Sequence, residues 1–432
     1  MAYVKRRALA SAFAILACTG CGGALQETPP TDDTAALLKA WSDYYAAIDG
    51  LKNNFLASDS FKIDDAHRAG AVRLMQSIIA SNVNGAMGGG DGSYPHLRLL
   101  LSPTIKIGVD NPDTLYRAAT ITNPDGGYVY RVWGRLGTAS DFLLEQFHGP
   151  DPQGAISTFE DDDLVTDDEG RFEIFLSAEP MGENWMELAP TDRLLTLIIR
   201  DSFTNWEAEQ AATVEIERIG TSGEMSPPLR ERDLIRPIEQ ATAILERQGR
   251  FWPDFSSRLR LVGENNFIDF RATESLGIPT QFFSAGFFSI ADDEALIVTI
   301  PDVDAAYCGF QVANFWAASP DWINRQTSLS WCNEGAQALP MSNGSYQFVV
   351  SPRDPGVRNW IDTAGLTQGV LYARIQSPRG EDFAAPDLQA ELVKLSALDK
   401  QLEPGTPRVG PDGRRQAIAA RQAHARRRYE TW

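Results

Sequence analysis

The chain reads as a mostly β (α+β) protein: two duplicated antiparallel β-sandwich-like halves, with N-terminal helices, a connecting helix and a C-terminal Arg-rich helix. Three observations predict this. The first is an internal repeat between residues 170–202 and 344–377. Ser177 matches Ser351 and Arg200 matches Arg374 at an offset of 174, while Asn184-Trp185 matches Asn359-Trp360 at 175. A fixed long-range offset of this kind is the mark of a duplicated unit. The second is period-2 alternation: Phe172, Ile174 and Leu176 line one strand face, and Tyr346, Phe348 and Val350 line its counterpart. The third is the abundance of short apolar runs separated by Pro, Gly, Asn and Asp turns. That pattern belongs to antiparallel sheets rather than to βαβ units.

The elements follow in order. Residues 1–20 read as a signal peptide, with Lys5-Arg6-Arg7 as the basic segment and residues 8–17 as an apolar stretch too short to span a bilayer. Cys18-Thr19-Gly20-Cys21 resembles a bacterial lipoprotein signal, with Cys21 as the expected lipidated residue and Cys18 as its runner-up. The other reading is an ordinary secretory peptide. Residues 21–33 are a polar tether. Residues 34–104 are the helical region. Leu37, Trp41, Tyr44, Ile48, Leu51 and Phe55 recur at helical spacing, and Asp64 or Asp65 caps a second helix reaching about Ser81. Residues 85–93 are a glycine-rich loop that fits neither nucleotide-binding fingerprint.

Residues 105–220 form the first β half. Within it, 115–122 and 128–134 read as a hairpin closed by Asn123-Pro124-Asp125-Gly126-Gly127, and 140–148 as a strand. Residues 221–281 are a helical connector, with Leu234, Ile238, Ala241 and Leu245 on one face, running into a Trp/Phe/Leu-rich stretch. Residues 282–377 form the second half. Pro301-Asp302 follows Pro124-Asp125 at an offset of 177, which would extend the duplication back to Leu115 and Leu296. Residues 378–432 are an extended segment and a terminal helix with Arg415, Arg421, Arg426, Arg427 and Arg428. That helix either meets anionic lipid or docks on the acidic body.

Composition bounds the function. The chain has 432 residues, 43% hydrophobic and 22% charged, which is ordinary for a globular protein. Its net charge of −19, or −19 − 3 = −22 after loss of the three leader cations, repels nucleic acid. Only Cys308 and Cys332 lie in the body, and their numbers sum to 640, so a hairpin pairing them would turn at residue 320, within Ser319-Pro320-Asp321. This predicts a disulfide, permitted by export; the alternative is two separate buried thiols.

Three stretches carry a resemblance: Asp110-Asn111-Pro112-Asp113-Thr114-Leu115-Tyr116, residues 353–365 around Asn359-Trp360, and the Arg-rich terminal helix. From about Asp64 onward the chain resembles the bacterial domain-of-unknown-function family called DUF twelve-fourteen. The resemblance implies a β-rich fold. It brings no activity and no catalytic residues.

Chemistry is sparse. The four histidines are scattered and no metal motif occurs, so neither metal nor cofactor is expected. The acidic run 160–170 reads as a solvated turn, with calcium as the alternative. No G-x-S-x-G occurs. The weak catalytic candidates are His148, with Asp141 or Asp151 as partner, and Asp113. The ligand-binding candidates are Asp110, Asn111, Asp113, Tyr116 and Arg117, with Arg353, Asp354 and Asp362 around Trp360. For Asn359 and Trp360 a structural corner is the leading reading, because both halves keep the pair. The leading functional expectation is an envelope-anchored lipoprotein that binds a small polar ligand or glycan. A hydrolase in the same cleft and a structural or protein-interaction module are the alternatives.

Overall fold

The fold was obtained as a computed structural model, which describes residues 31–150, 153–273, 278–380 and 383–429. The leader, Cys18 and Cys21 and Asp151 lie outside the described residues. Helix α1 (Asp32–Ala57) starts at a Thr31 capping box, and α2 (Asp65–Asn82) starts at Asp64, whose carboxylate accepts from the His67 N–H at 2.8 Å. The apolar stripe of α1 supplies buried Tyr44, Leu51 and Phe55. The glycine-rich loop begins as a π-turn at Val83–Met87.

The first half comprises β1 (Arg98–Leu101), β2 (Thr114–Asn123), β3 (Tyr130–Arg135), β4 (Asp141–His148), β5 (Gln153–Glu160), β6 (Arg171–Ser177), β7 (Trp185–Glu187), β8 (Thr191–Ser202) and β9 (Thr213–Arg218). Its two sheets run β1-β2-β8-β4-β5 and β7-β6-β3-β9. After helix α3 (Glu231–Arg260), the second half comprises β10 (Asn266–Phe267), β11 (Arg271–Thr273), β12 (Ile278–Ser289), β13 (Glu294–Ile300), β14 (Ala305–Ala313), β15 (Ser328–Trp331), β16 (Tyr346–Ser351), β17 (Trp360–Asp362), β18 (Gln368–Pro378) and β19 (Gln389–Lys394). Its sheets run β10-β12-β18-β14-β15, with β11 also on β12, and β17-β16-β13-β19. A one-turn helix α4 (Leu398–Gln401) and the terminal helix α5 (Pro411–Tyr429) close the chain.

The duplication is therefore complete in strand order: β2-β8-β4-β5 and β7-β6-β3-β9 recur as β12-β18-β14-β15 and β17-β16-β13-β19. Each half is a sandwich with its own core. Ile174, Leu176, Leu144 and Leu197 meet in the first, and Phe348, Val350, Phe310 and Leu371 in the second. The pairing is antiparallel except at β6–β7 and β16–β17, which are parallel.

The structure corrects several finer expectations. Residues 115–122 and 128–134 do not form a hairpin: β2 pairs with β1 and β8, whereas β3 pairs with β6 and β9. The intervening turn carries the chain from one sheet to the other. Buried Asn123 anchors it, accepting from the Tyr128 N–H at 2.8 Å and donating to the Leu188 carbonyl at 2.8 Å. The Pro-Asp match misled for the same reason. Pro124-Asp125 follows β2, but Pro301-Asp302 follows β13, so the counterpart of β2 is β12, not the strand at Leu296. The half boundaries widen accordingly: β1 falls within 34–104, β10 and β11 precede 282, and β19 lies beyond 377.

Cys308 and Cys332 are bonded, with Cα atoms 5.8 Å apart. The register is one residue off the symmetric hairpin: Cys308 faces Trp331, and Cys332 turns back beyond the strand end with φ 55°. The terminal helix is docked. Arg414, Arg421 and Arg428, seven residues apart, are all buried; each donates to a backbone carbonyl, and Arg414 also pairs with Asp354 at 2.8 Å. No described helix is long and apolar enough to cross a membrane.

Candidate functional site

The Asn-Trp motif is a structural corner in both halves. Asn359 Nδ2 donates to the Leu339 carbonyl (2.8 Å) and the Gln347 carbonyl (3.3 Å), and its Oδ1 accepts from the Leu339 N–H (2.8 Å). Asn184 repeats this with Val165 and Glu173. The indole N–H of Trp360 donates to Ser351 Oγ at 3.0 Å, and that of Trp185 to Ser177 Oγ at 3.1 Å. Arg353 and Asp354 are exposed, Asp354 binds Arg414, and buried Asp362 pairs with Arg325 at 2.8 Å. None of the three lines the cavity described below.

The other candidates diverge. His148 is exposed at the end of β4, and Asp141 starts the same strand, roughly 23 Å away at the rise of an extended chain. That separation removes the His148–Asp141 pairing. Arg117 is buried against Asp201 and donates to the Ala212 carbonyl at 2.7 Å. Asp113 is fully buried, takes a hydrogen bond from the Tyr307 hydroxyl at 2.8 Å, and has its carboxyl pushed up by burial. Asn111 bonds Thr114 and Tyr307. A Cβ at Gly309 would fall 2.0 Å from the Tyr307 hydroxyl, so glycine there lets the Tyr307 ring lie back toward Asp113. The Arg428 guanidinium completes this polar knot by donating to the Pro112 carbonyl at 2.7 Å. His424 beside it is held neutral, its pKa lowered to about 2 by burial and by Arg428.

Asp110 and Tyr116 behave differently, because both line a cavity of about 640 Å³ where the two halves and α3 meet. Such a volume lies within the range of small-molecule sites. Asp110 accepts from the Ser319 N–H (2.9 Å) and hydroxyl (2.5 Å), and burial raises its carboxyl while nearby Lys106 opposes the rise. Val109 adopts φ 55°, a strained region for a β-branched residue, held by its N–H on the Ala317 carbonyl at 2.7 Å.

Two of the cavity's cations come from the repeat itself, and the exposed Arg258 of α3 is a third. Arg200 on β8 and Arg374 on β18 are equivalent residues, and both line it. In register, Tyr116 faces Arg200 and Phe283 faces Arg374, and these two rings line it as well. Each guanidinium is backed by the equivalent position of the neighbouring strand. Arg200 Nε lies 2.7 Å from Glu145, and Arg374 donates to Gln311. Arg374 also donates to the Val109 carbonyl, whereas the terminal nitrogens of Arg200 make no hydrogen bond among the described residues. Glu145 is fully buried, and burial pushes its carboxyl up to about 7 against the pull of Arg200. Phe283 stacks on Tyr372 (5.2 Å, 5°), and Trp252 and Phe255 of α3 form the facing wall. Arg200, Arg374 and this aromatic wall were not among the sequence candidates. The available signal was a cation kept at one repeat position inside two apolar central strands.

Fold and site together define a duplicated double-sandwich protein with a ligand-sized cavity at the seam between its halves. An uncharacterised protein from Burkholderia cenocepacia has this fold: it is 25% identical, with TM-score 0.75, over 84% of this chain and 99% of that chain. A Vibrio parahaemolyticus protein is matched at 11% identity and TM-score 0.42, over 74% of this chain and 98% of that chain. No protein-family profile and no curated protein matches the chain. The Burkholderia neighbour is bacterial, in keeping with a bacterial domain of unknown function.

Proposed function

We propose that this is an exported, lipid-anchored binding protein of the bacterial cell envelope, facing the periplasm or the surface, whose ligand is a small molecule held in the cavity between the halves. The observation that supports it is the convergence of Arg200 and Arg374, with Tyr116 and Phe283, on one space of about 640 Å³. Folded cores are close-packed, so an opening of this size beside buried guanidinium groups is a binding feature rather than a packing defect. The aromatic walls favour a ligand with an apolar body over a glycan, and the arginines supply the polar recognition. Anchoring rests on the Cys21 signal reading.

Two experiments test this. In a thermal-shift screen of metabolites and glycans, a ligand should raise the melting temperature of the wild-type protein but not of Ala285→Trp, which fills the cavity. A screen without such a compound refutes the binding reading. Cys21→Ser should release the protein from the membrane fraction, and retention of that variant together with release of Cys18→Ser would move the lipid to Cys18.

A further inference from the structure

Resting on that reading, we propose that the cavity ligand is an apolar monocarboxylic acid whose carboxylate is held by Arg200. The argument begins with the difference between the two equivalent arginines. Arg374 is committed: its terminal nitrogens donate to Gln311 and to the Val109 carbonyl, and its guanidinium lies 4.3 Å from the Tyr372 ring centre. Those bonds hold the strained Val109 segment, and hence Asp110, in place. Arg200 has only Glu145 at its Nε and the Tyr116 ring 5.4 Å away. Its terminal N–H pair donates to nothing among the described residues, and such a fork matches a carboxylate in geometry.

One free guanidinium fork points to one carboxylate. Around the cavity the cations are Arg200, Arg374, the exposed Arg258 of α3 and, behind Asp110, Lys106; the buried carboxyls are Asp110 and Glu145. Glu145 accompanies Arg200, and Asp110 is countered by Lys106. The hydrogen-bond partners of Arg374 are a neutral amide and a carbonyl, so its guanidinium has no free fork to offer. The remainder of the site is mainly apolar, with Thr273, Gln281 and exposed Arg258 as its further polar residues. Phe283 and Tyr372 form one wall, and Trp252, Phe255 and Leu259 of α3 form the other. These surfaces take an alkyl or aryl body and offer little to a sugar's hydroxyl groups.

The test is calorimetric titration of the purified full chain with dodecanoate, with 1-dodecanol as its uncharged counterpart and maltose as the glycan probe. Dodecanoate should bind at one site per chain, and dodecanol at least tenfold more weakly. Arg200→Met should weaken dodecanoate at least tenfold and leave dodecanol unchanged, because it removes the fork and keeps the apolar stem. Ala285→Trp should abolish both. The urea midpoint of each variant reports whether it is folded. Equal affinity for acid and alcohol, or an Arg200→Met protein that still prefers the acid, overturns the carboxylate assignment and leaves the cavity reading intact. Tighter binding of maltose than of dodecanoate, lost in Ala285→Trp, does the same. Dodecanoate binding that survives Ala285→Trp overturns the cavity reading itself.

Discussion

Removing the Asn359 side chain measures whether the duplicated corners stabilise the halves as their geometry implies. Asn359→Ala deletes three hydrogen bonds, to the Leu339 N–H, the Leu339 carbonyl and the Gln347 carbonyl. A net contribution of about 1 kcal/mol per bond gives a loss of about 3 kcal/mol. Leu339 is 43% exposed, so water can recover part of its two bonds; Gln347 is 5% exposed and recovers little. Asn184→Ala deletes the matching three bonds to Val165 and Glu173 and should lose a similar amount. Urea unfolding followed by tryptophan fluorescence reads both variants. A loss below about 1 kcal/mol in either variant, with that protein otherwise folded, would show that the motif is not an anchoring corner.

Other outcomes follow from single contacts. Reducing the Cys308–Cys332 bond, which encloses a separation of 24 residues, should cost about 3 kcal/mol through chain entropy, read as a fall in urea midpoint with and without reductant. Glu145 carries a folded-state pKa raised from 4.5 to about 7, so its burden is absent below pH 4.5 and grows until about pH 7. Glu145→Gln should therefore gain stability relative to wild type as pH rises through that window, and a constant difference would exclude the raised carboxyl. Arg428→Met leaves the Pro112 carbonyl and the His424 ring nitrogen without their donor, and should cost about 2–4 kcal/mol in thermal or urea unfolding.

The sequence revealed what is local or periodic. The helix start at Asp64, the alternation in β6 and β16, and the Asn-Trp corner were legible, because capping, strand faces and turn side chains act over a few residues, whereas the first helix begins at Asp32, inside the stretch read as a tether. The pairing of β2 with β8 rather than with β3 was not legible. A turn such as 123–127 closes a hairpin or crosses between sheets with the same residues, and only the packing of Asn123 against Leu188 decides. The cavity was hidden for a related reason. Arg200 and Arg374 stood out as repeat markers, yet neither makes a site alone, and their meeting depends on how one sandwich lies against the other. The arginine seam of α5 has a spacing of seven that can be read in Arg414, Arg421 and Arg428, but a row of buried cations runs against composition and becomes sensible only beside the carbonyls and the Asp354 carboxylate it meets.

The matched pair of Glu145 behind Arg200 and Gln311 behind Arg374 also bears on stoichiometry and direction. Were the two halves separate identical subunits, any change at one seam position would appear twice, and the cleft would greet a ligand equally from either end. Joining them through α3 removes that constraint. One half keeps an acid and an open guanidinium, while the other exchanges the acid for an amide and spends its guanidinium on the backbone. The outcome is a polarised cleft, whose open guanidinium belongs to the first half alone.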